Sequence, residues 1–273
     1  MDKAVIYIHG KGGNAEEAIH YKPLFSNCDV IGLDYTAQFP WEAKEEFPLL
    51  FNSIYRNYKT VEVIANSIGA YFAINALSNQ QIEKAYFISP VVDMERLIAD
   101  MMIWANVTED ELKEKKEIQT TFGETLSWDY LCYARENPII WEIPTHILYG
   151  EKDNLTAYGT IFEFVQRTNS TFSIMKNGEH WFHTDEQMKF LDEWIIKSSK
   201  QLPVCRANSE RREHRSRCAR LSLSLYFYPV THHTAIGAMT NRTSFTVCDR
   251  AYHVSCCAAL SGSYCTSPAY ITA

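Results

Sequence analysis

The sequence predicts an α/β fold, an open and mostly parallel sheet of about six strands flanked by helices. Short β-branched or aromatic runs recur through the first 180 residues, each followed by a turn and a longer stretch of helical spacing. The runs are almost continuously apolar, as strands covered on both faces must be. The rhythm breaks once, between Val92 and Trp141.

In chain order the predicted strands are residues 4–9, 29–34, 60–65, 85–89, 146–149 and 172–175. Between the second and third strands Phe47, Phe51, Ile54, Tyr55 and Tyr58 share one helical face, and Pro48 is expected in that helix's first turn. Ile68, Phe72, Ala76 and Leu77 form the next apolar face. The interval at about 92–141 holds two or three helices and no convincing strand. Met94, Leu97, Ile98 and Met101 make one stripe, and Thr108 with Glu111 caps another helix. Trp104, Trp128, Tyr130, Tyr133 and Trp141 fall in this insertion, which reads as a lid over a pocket; ordinary helix packing is the alternative. A last helix starts at Thr184, with Gln187 completing a capping box, runs through Met188, Leu191 and Ile195, and ends near Lys200.

The composition divides near residue 200. Residues 1–200 carry 18 of the 26 basic and 30 of the 33 acidic residues, a net charge of −12, whereas residues 201–273 are net +5, with eight Arg, no Lys and six of the eight Cys. The first part is the expected folded domain. The Arg/Cys-rich tail shows no sustained period and is expected to be disordered or non-native. Its cysteines, Cys205, Cys218, Cys248, Cys256, Cys257 and Cys265, form no C-x-x-C pair and match no zinc spacing. A net negative body argues against nucleic acid or an anionic membrane as partner, since both need clustered Lys or Arg; a neutral or cationic small molecule fits better. Met1-Asp2-Lys3 leads straight into the first strand, whose apolar run is too short for a signal or membrane segment, so the expected setting is cytoplasmic.

Four pieces carry chemistry. Ala65-Asn66-Ser67-Ile68-Gly69 follows a strand and opens a helix. A nucleophile on so sharp a turn needs small residues two before and two after it, which Ala65 and Gly69 supply. Such a pentapeptide arises by chance in roughly a quarter of chains this long, so its placement carries the weight. The second piece is His9-Gly10-Lys11-Gly12-Gly13 at the end of the first strand, where glycines let backbone N–H groups approach a substrate. The N–H groups of Lys11 and Ile68 are the expected oxyanion donors; His9, Gly10, Gly12 and Gly13 support the loop. Neither nucleotide-binding glycine motif is present, and no cofactor or metal is expected.

The third and fourth pieces are Gly150-Glu151-Lys152-Asp153 and Gly178-Glu179-His180, each just past a strand. A serine hydroxyl needs an imidazole base, and the imidazole needs a carboxylate to fix its tautomer. Ser67, Asp153 and His180 fit these roles in that chain order. Asp93 and Asp34 are rivals for the acid and His183 for the base. Trp181, beside the base, is assigned to the core in preference to the pocket.

Over about residues 3–197 these motifs resemble the α/β-hydrolase family, with Ala65 standing where a glycine is usual. The resemblance implies an open parallel sheet, a helical lid after the fourth strand and no cofactor; the antiparallel hairpin that commonly opens the family is missing. The expected activity is hydrolysis of a small carboxylic ester through an acyl-enzyme on Ser67, the aromatic lid favouring an apolar acyl or aryl group. An aminopeptidase, amidase or acyltransferase with the same triad, or a binding module that keeps only the fold, are the alternatives.

Overall fold

Alternate residues of the first strand face opposite ways: Ala4, Ile6 and Ile8 enter one apolar cluster, while Val5 and Tyr7 enter another on the far side. The sheet is thus buried on both faces, as its apolar strands require. The computed structural model describes residues 1–201; the expectations for the Arg/Cys-rich tail lie outside the described residues.

In chain order the elements are β1 (Lys3–Ile8), a short turn of helix leading into α1 (Ala18–Tyr21), β2 (Asp29–Gly32), α2 (Pro40–Tyr55), β3 (Thr60–Asn66), α3 (Ile68–Leu77) and β4 (Ala85–Ile88). The insertion follows, with α4 (Met94–Ala105), α5 (Glu109–Lys115), β5 (Glu117–Gln119), β6 (Thr125–Ser127) and α6 (Trp128–Glu136). The chain then returns through β7 (Thr145–Gly150), α7 (Tyr158–Arg167), β8 (Ser170–Met175) and α8 (Asp185–Lys200). Six strands pair in parallel in the order β2-β1-β3-β4-β7-β8. All six were legible in the sequence to within two residues at either end.

From β1 the chain first moves outward to β2, then crosses back to β3 on the other side of β1. That reversal opens a crevice at the carboxyl ends of β1 and β3, where ligands of open α/β sheets sit. Ile8 is paired with Ala65, so the glycine loop after β1 and the turn after β3 are neighbours by register.

Two sequence expectations are corrected. Pro48 lies deep inside α2, not in its first turn. The helix starts at Pro40, whose missing N–H falls where no helical partner exists, and Glu42 accepts the N–H groups of Gln38 (2.7 Å) and Phe39 (3.2 Å). Pro48 then removes one interior bond, a loss of about 3 kcal/mol that burial of Ala43, Phe47 and Phe51 offsets. The insertion, in turn, holds a small antiparallel hairpin, β5 with β6, beside its three helices. Its three-residue strands are too short to show a period. Its turn is made by Gly123 at φ 88° and by the Thr120 hydroxyl, which accepts the N–H of Glu124 (3.0 Å) and donates to that residue's carbonyl (2.8 Å).

At the opposite edge of the sheet, Lys84 is buried and donates to the carbonyls of Ser198 (3.4 Å), Ser199 (3.2 Å) and Gln201 (2.8 Å), closing the end of α8. The buried Glu62 lies 3.7 Å from Lys84 and 2.7 Å from Lys3.

Candidate active site

Ser67 sits between β3 and α3 with φ 51° and ψ −120°, a strained conformation that lifts its side chain off the sheet edge. The turn is held by the Ser67 N–H to the Ile88 carbonyl (3.0 Å) and by the Val91 N–H to the Ser67 carbonyl (3.0 Å). Its tightness explains the small neighbours. A Cβ at Gly69 would stand 2.3 Å from the His9 carbonyl oxygen, and Ala65 is fully buried.

Asp153 and His180 arrive from β7 and β8, which are adjacent in the sheet. Their loops approach closely at two glycines: a Cβ on Gly150 would meet the carbonyl oxygens of Glu179 and Gly178 at 2.5 and 2.6 Å. The Lys152 N–H donates to the Gly178 carbonyl (2.7 Å), fixing one loop to the other. His180 Nδ1 lies 2.7 Å from Asp153 Oδ2, and His180 Nε2 lies 2.9 Å from Ser67 Oγ. A bond from Nδ1–H to the carboxylate leaves Nε2 unprotonated and facing the hydroxyl.

The Asp153 carboxylate is fully buried and accepts three further bonds, from the N–H groups of Leu155 and Thr156 (2.9 Å each) and from the Thr156 hydroxyl (3.0 Å). Beside it the phenol of Tyr149 donates to the Thr156 carbonyl (2.9 Å), and burial, with the Asp153 charge second, pushes its pKa up to about 12. The rivals stand elsewhere. Asp93 caps α4 through the Arg96 N–H (2.9 Å), Asp34 is exposed, and His183 turns to the Trp181 carbonyl (2.7 Å).

The glycine loop lies against this turn, a Cβ on Gly10 falling 3.3 Å from that of Ser67. The Gly13 N–H closes the loop on the Gly10 carbonyl (3.1 Å), with Gly12 at φ 75°. His9 braces it: the ring stacks on Tyr35 at 4.1 Å and Nδ1–H donates to the Gly10 carbonyl (2.8 Å), while Tyr35 donates to the His9 carbonyl (2.8 Å). Ile68 is the first residue of α3, so its N–H is one of the helix donors with no intrahelical partner.

Ser67, His180, Asn66 and Gly10 to Gly13 line a cleft of about 560 Å³, completed by Glu17, Glu124, Leu155 and Trp181. Glu17, Glu124, Leu155 and Trp181 were not assigned to a site from the sequence. Trp181, expected in the core, is 70% exposed at the mouth. Glu124, on the turn of the lid hairpin, is ion-paired with Lys11 across the opening. Glu17 accepts the Tyr7 phenol (2.5 Å) and the Asn14 N–H (3.2 Å). Burial first, then Tyr21 and the Glu17 carboxylate, raise the Tyr7 pKa, keeping the phenol a donor. The capping pattern Asn14-x-x-Glu17 was readable, but its nearness to Ser67 depends on the β1–β3 crevice.

None of the five lid aromatics lines this cleft, which corrects the basis for expecting an aromatic pocket wall. Trp141 packs on Phe87 and donates to Thr145; Tyr130 and Tyr133 pack on Trp41; Trp104 stands at the surface near Phe122. Trp128 packs against the core, with Lys113 and Lys116 over its ring. Among the described residues no group of three or more His, Cys, Asp or Glu is placed to share a metal ion, and no helix is long and apolar enough to cross a membrane.

The chain has the α/β-hydrolase fold, a parallel sheet with Ser67 on the turn after β3 and with Asp153 and His180 in the loops after β7 and β8. Among solved structures it is similar to alpha/beta hydrolase domain-containing protein 10 from mouse (13% identity, TM-score 0.60, covering 71% of this chain and 88% of that one). It is also similar to Est1E from Butyrivibrio proteoclasticus (13%, 0.56, 73% and 88%) and to a lipase-esterase related protein from Clostridium acetobutylicum (16%, 0.51, 72% and 94%). No protein-family profile and no curated protein sequence matches the chain.

Proposed function

We propose that the chain is a serine hydrolase that cleaves a small carboxylic ester through an acyl-enzyme on Ser67. The observation that carries this reading is the unbroken relay from Ser67 Oγ to His180 Nε2 (2.9 Å) and from His180 Nδ1 to Asp153 (2.7 Å), opening on a cleft. As Oγ bonds to the carbonyl carbon, its proton passes to Nε2 and the carbonyl π pair moves onto oxygen. The N–H groups of Lys11 and Ile68 receive that oxyanion. Collapse expels the alcohol oxygen, which takes the proton from His180. A water molecule, deprotonated by the same nitrogen, then attacks the acyl carbon and releases the acid and Ser67.

An ester in place of an amide is supported by the likeness to the lipase-esterase related protein of Clostridium acetobutylicum. An apolar acyl or aryl group of the substrate rests on Leu155 and Trp181, the two large apolar residues of the cleft, and not on the lid aromatics.

The test is active-site labelling with a fluorophosphonate, alongside hydrolysis of a panel of 4-nitrophenyl esters and aminoacyl anilides. The parent is expected to label and to turn over esters, and Ser67→Ala to do neither. The same labelling is expected from a chain stopped after Gln201. Folded parent that takes up no probe would instead indicate a binding module.

A further inference from the structure

The cleft beside Ser67 contains one carboxylate with no cation to neutralise it. Glu17 and Glu124 both line it, and so does Lys11, but Lys11 is ion-paired with Glu124. Among the described residues no Lys, Arg or His lies within ion-pair distance of Glu17. Its position is fixed nonetheless, by the Tyr7 phenol on Oε2 and the Asn14 N–H on Oε1. Each carboxylate oxygen can accept two bonds, so one acceptor direction on each is left free. Gly13 leaves the space: a Cβ there would stand 2.6 Å from Glu17 Oε1.

A capping role alone accounts for the Asn14 bond. It does not account for a charged oxygen pinned to a buried phenol on the wall of a nucleophile's cleft. We propose that Glu17 is a specificity residue that binds an ammonium group carried by the substrate. The substrate class is then a small ester bearing a primary amine, with its apolar part on Leu155 and Trp181. The charge of −12 over residues 1–200 favours approach of such a cation. This inference rests on Ser67 being the nucleophile of the same cleft.

The test compares matched substrates. On the acyl side, 4-nitrophenyl esters of short ω-amino acids are paired with alkanoates of equal length; on the alcohol side, acetates of amino alcohols are paired with those of alkanols. The parent is expected to favour the ammonium member of at least one pair by about ten-fold or more in kcat/KM, the order of a charge-assisted hydrogen bond. Glu17→Gln keeps acceptors for Tyr7 and Asn14 while removing the charge, and should bring that ratio close to one. With unsubstituted protein, butylammonium should protect Ser67 from the fluorophosphonate better than butanol does, and less so in high salt. Equal rates within every pair for the parent, or a Glu17→Gln variant that slows both members and keeps the ratio, would overturn the ammonium subsite. Parent that labels at Ser67 yet shows no preference refutes the subsite alone, whereas parent that does not label refutes the serine reading beneath it.

Discussion

Replacing Asp153 by Asn separates the charge of the acid from its place in the fold. In the parent the carboxylate is fully buried and accepts from His180 Nδ1 at 2.7 Å, from two backbone N–H groups at 2.9 Å and from the Thr156 hydroxyl at 3.0 Å. An asparagine can keep its carbonyl oxygen on the Leu155 and Thr156 N–H groups. Its NH2 then faces Thr156 Oγ1, which can accept, and His180 Nδ1, which must now accept as well. That fixes the proton on Nε2, the atom 2.9 Å from Ser67 Oγ, and the base has no lone pair to offer. The expected fall in kcat is roughly 10⁴-fold, about 5.5 kcal/mol of transition-state stabilisation, with unfolding free energy changed by no more than about 1 kcal/mol. Turnover of 4-nitrophenyl acetate at neutral pH and urea unfolding measure the two. Asp93→Ala is the companion: it removes the cap of α4, for about 1 kcal/mol of stability, and leaves turnover intact. A Asp153→Asn variant within ten-fold of the parent, or an Asp93→Ala variant that falls with it, would show that the acid has been misassigned.

Gly69→Ala drives a methyl group into the His9 and Ile8 carbonyls, at 2.3 and 2.9 Å; a loss of about 1–3 kcal/mol is expected by thermal or urea melting, together with weaker probe labelling as the glycine loop is displaced. His146 is buried at the far edge of the sheet, and burial, with Lys84 second, lowers its pKa from 6.5 to about 4. Between those values the unfolded chain binds the proton and the folded one does not, so this contribution is complete above pH 6.5 and is lost as pH falls towards 4. It amounts to at most roughly 3 kcal/mol, and His146→Gln should flatten the slope of unfolding free energy against pH in that window.

The sheet was legible because its strands are apolar on both sides and its crossover helices keep one face. The grouping of Ser67, Asp153 and His180 was legible because strand order confines loops to the carboxyl edge, so short motifs after β1, β3, β7 and β8 come together there. Pro48 was misplaced because Pro40 and Glu42, which set the helix start, lie outside the apolar period. The β5–β6 hairpin escaped because three residues cannot display alternation. The lid aromatics misled for a different reason: a tryptophan such as Trp141, packed on Phe87, reads the same in sequence as one lining a pocket. Trp181 and Glu17 are the converse, a residue assigned to the core and a capping residue brought to the cleft by three-dimensional proximity alone.

Glu62 joins β1, through Lys3, and α8, through Lys84, at the edge remote from Ser67. β1 and α8 are therefore tied to one buried carboxylate, and their amide protons are expected to exchange through one shared event. An anchor attached at residue 201 would leave the molecule on its back, so a surface-tethered preparation keeps its mouth turned to the solution.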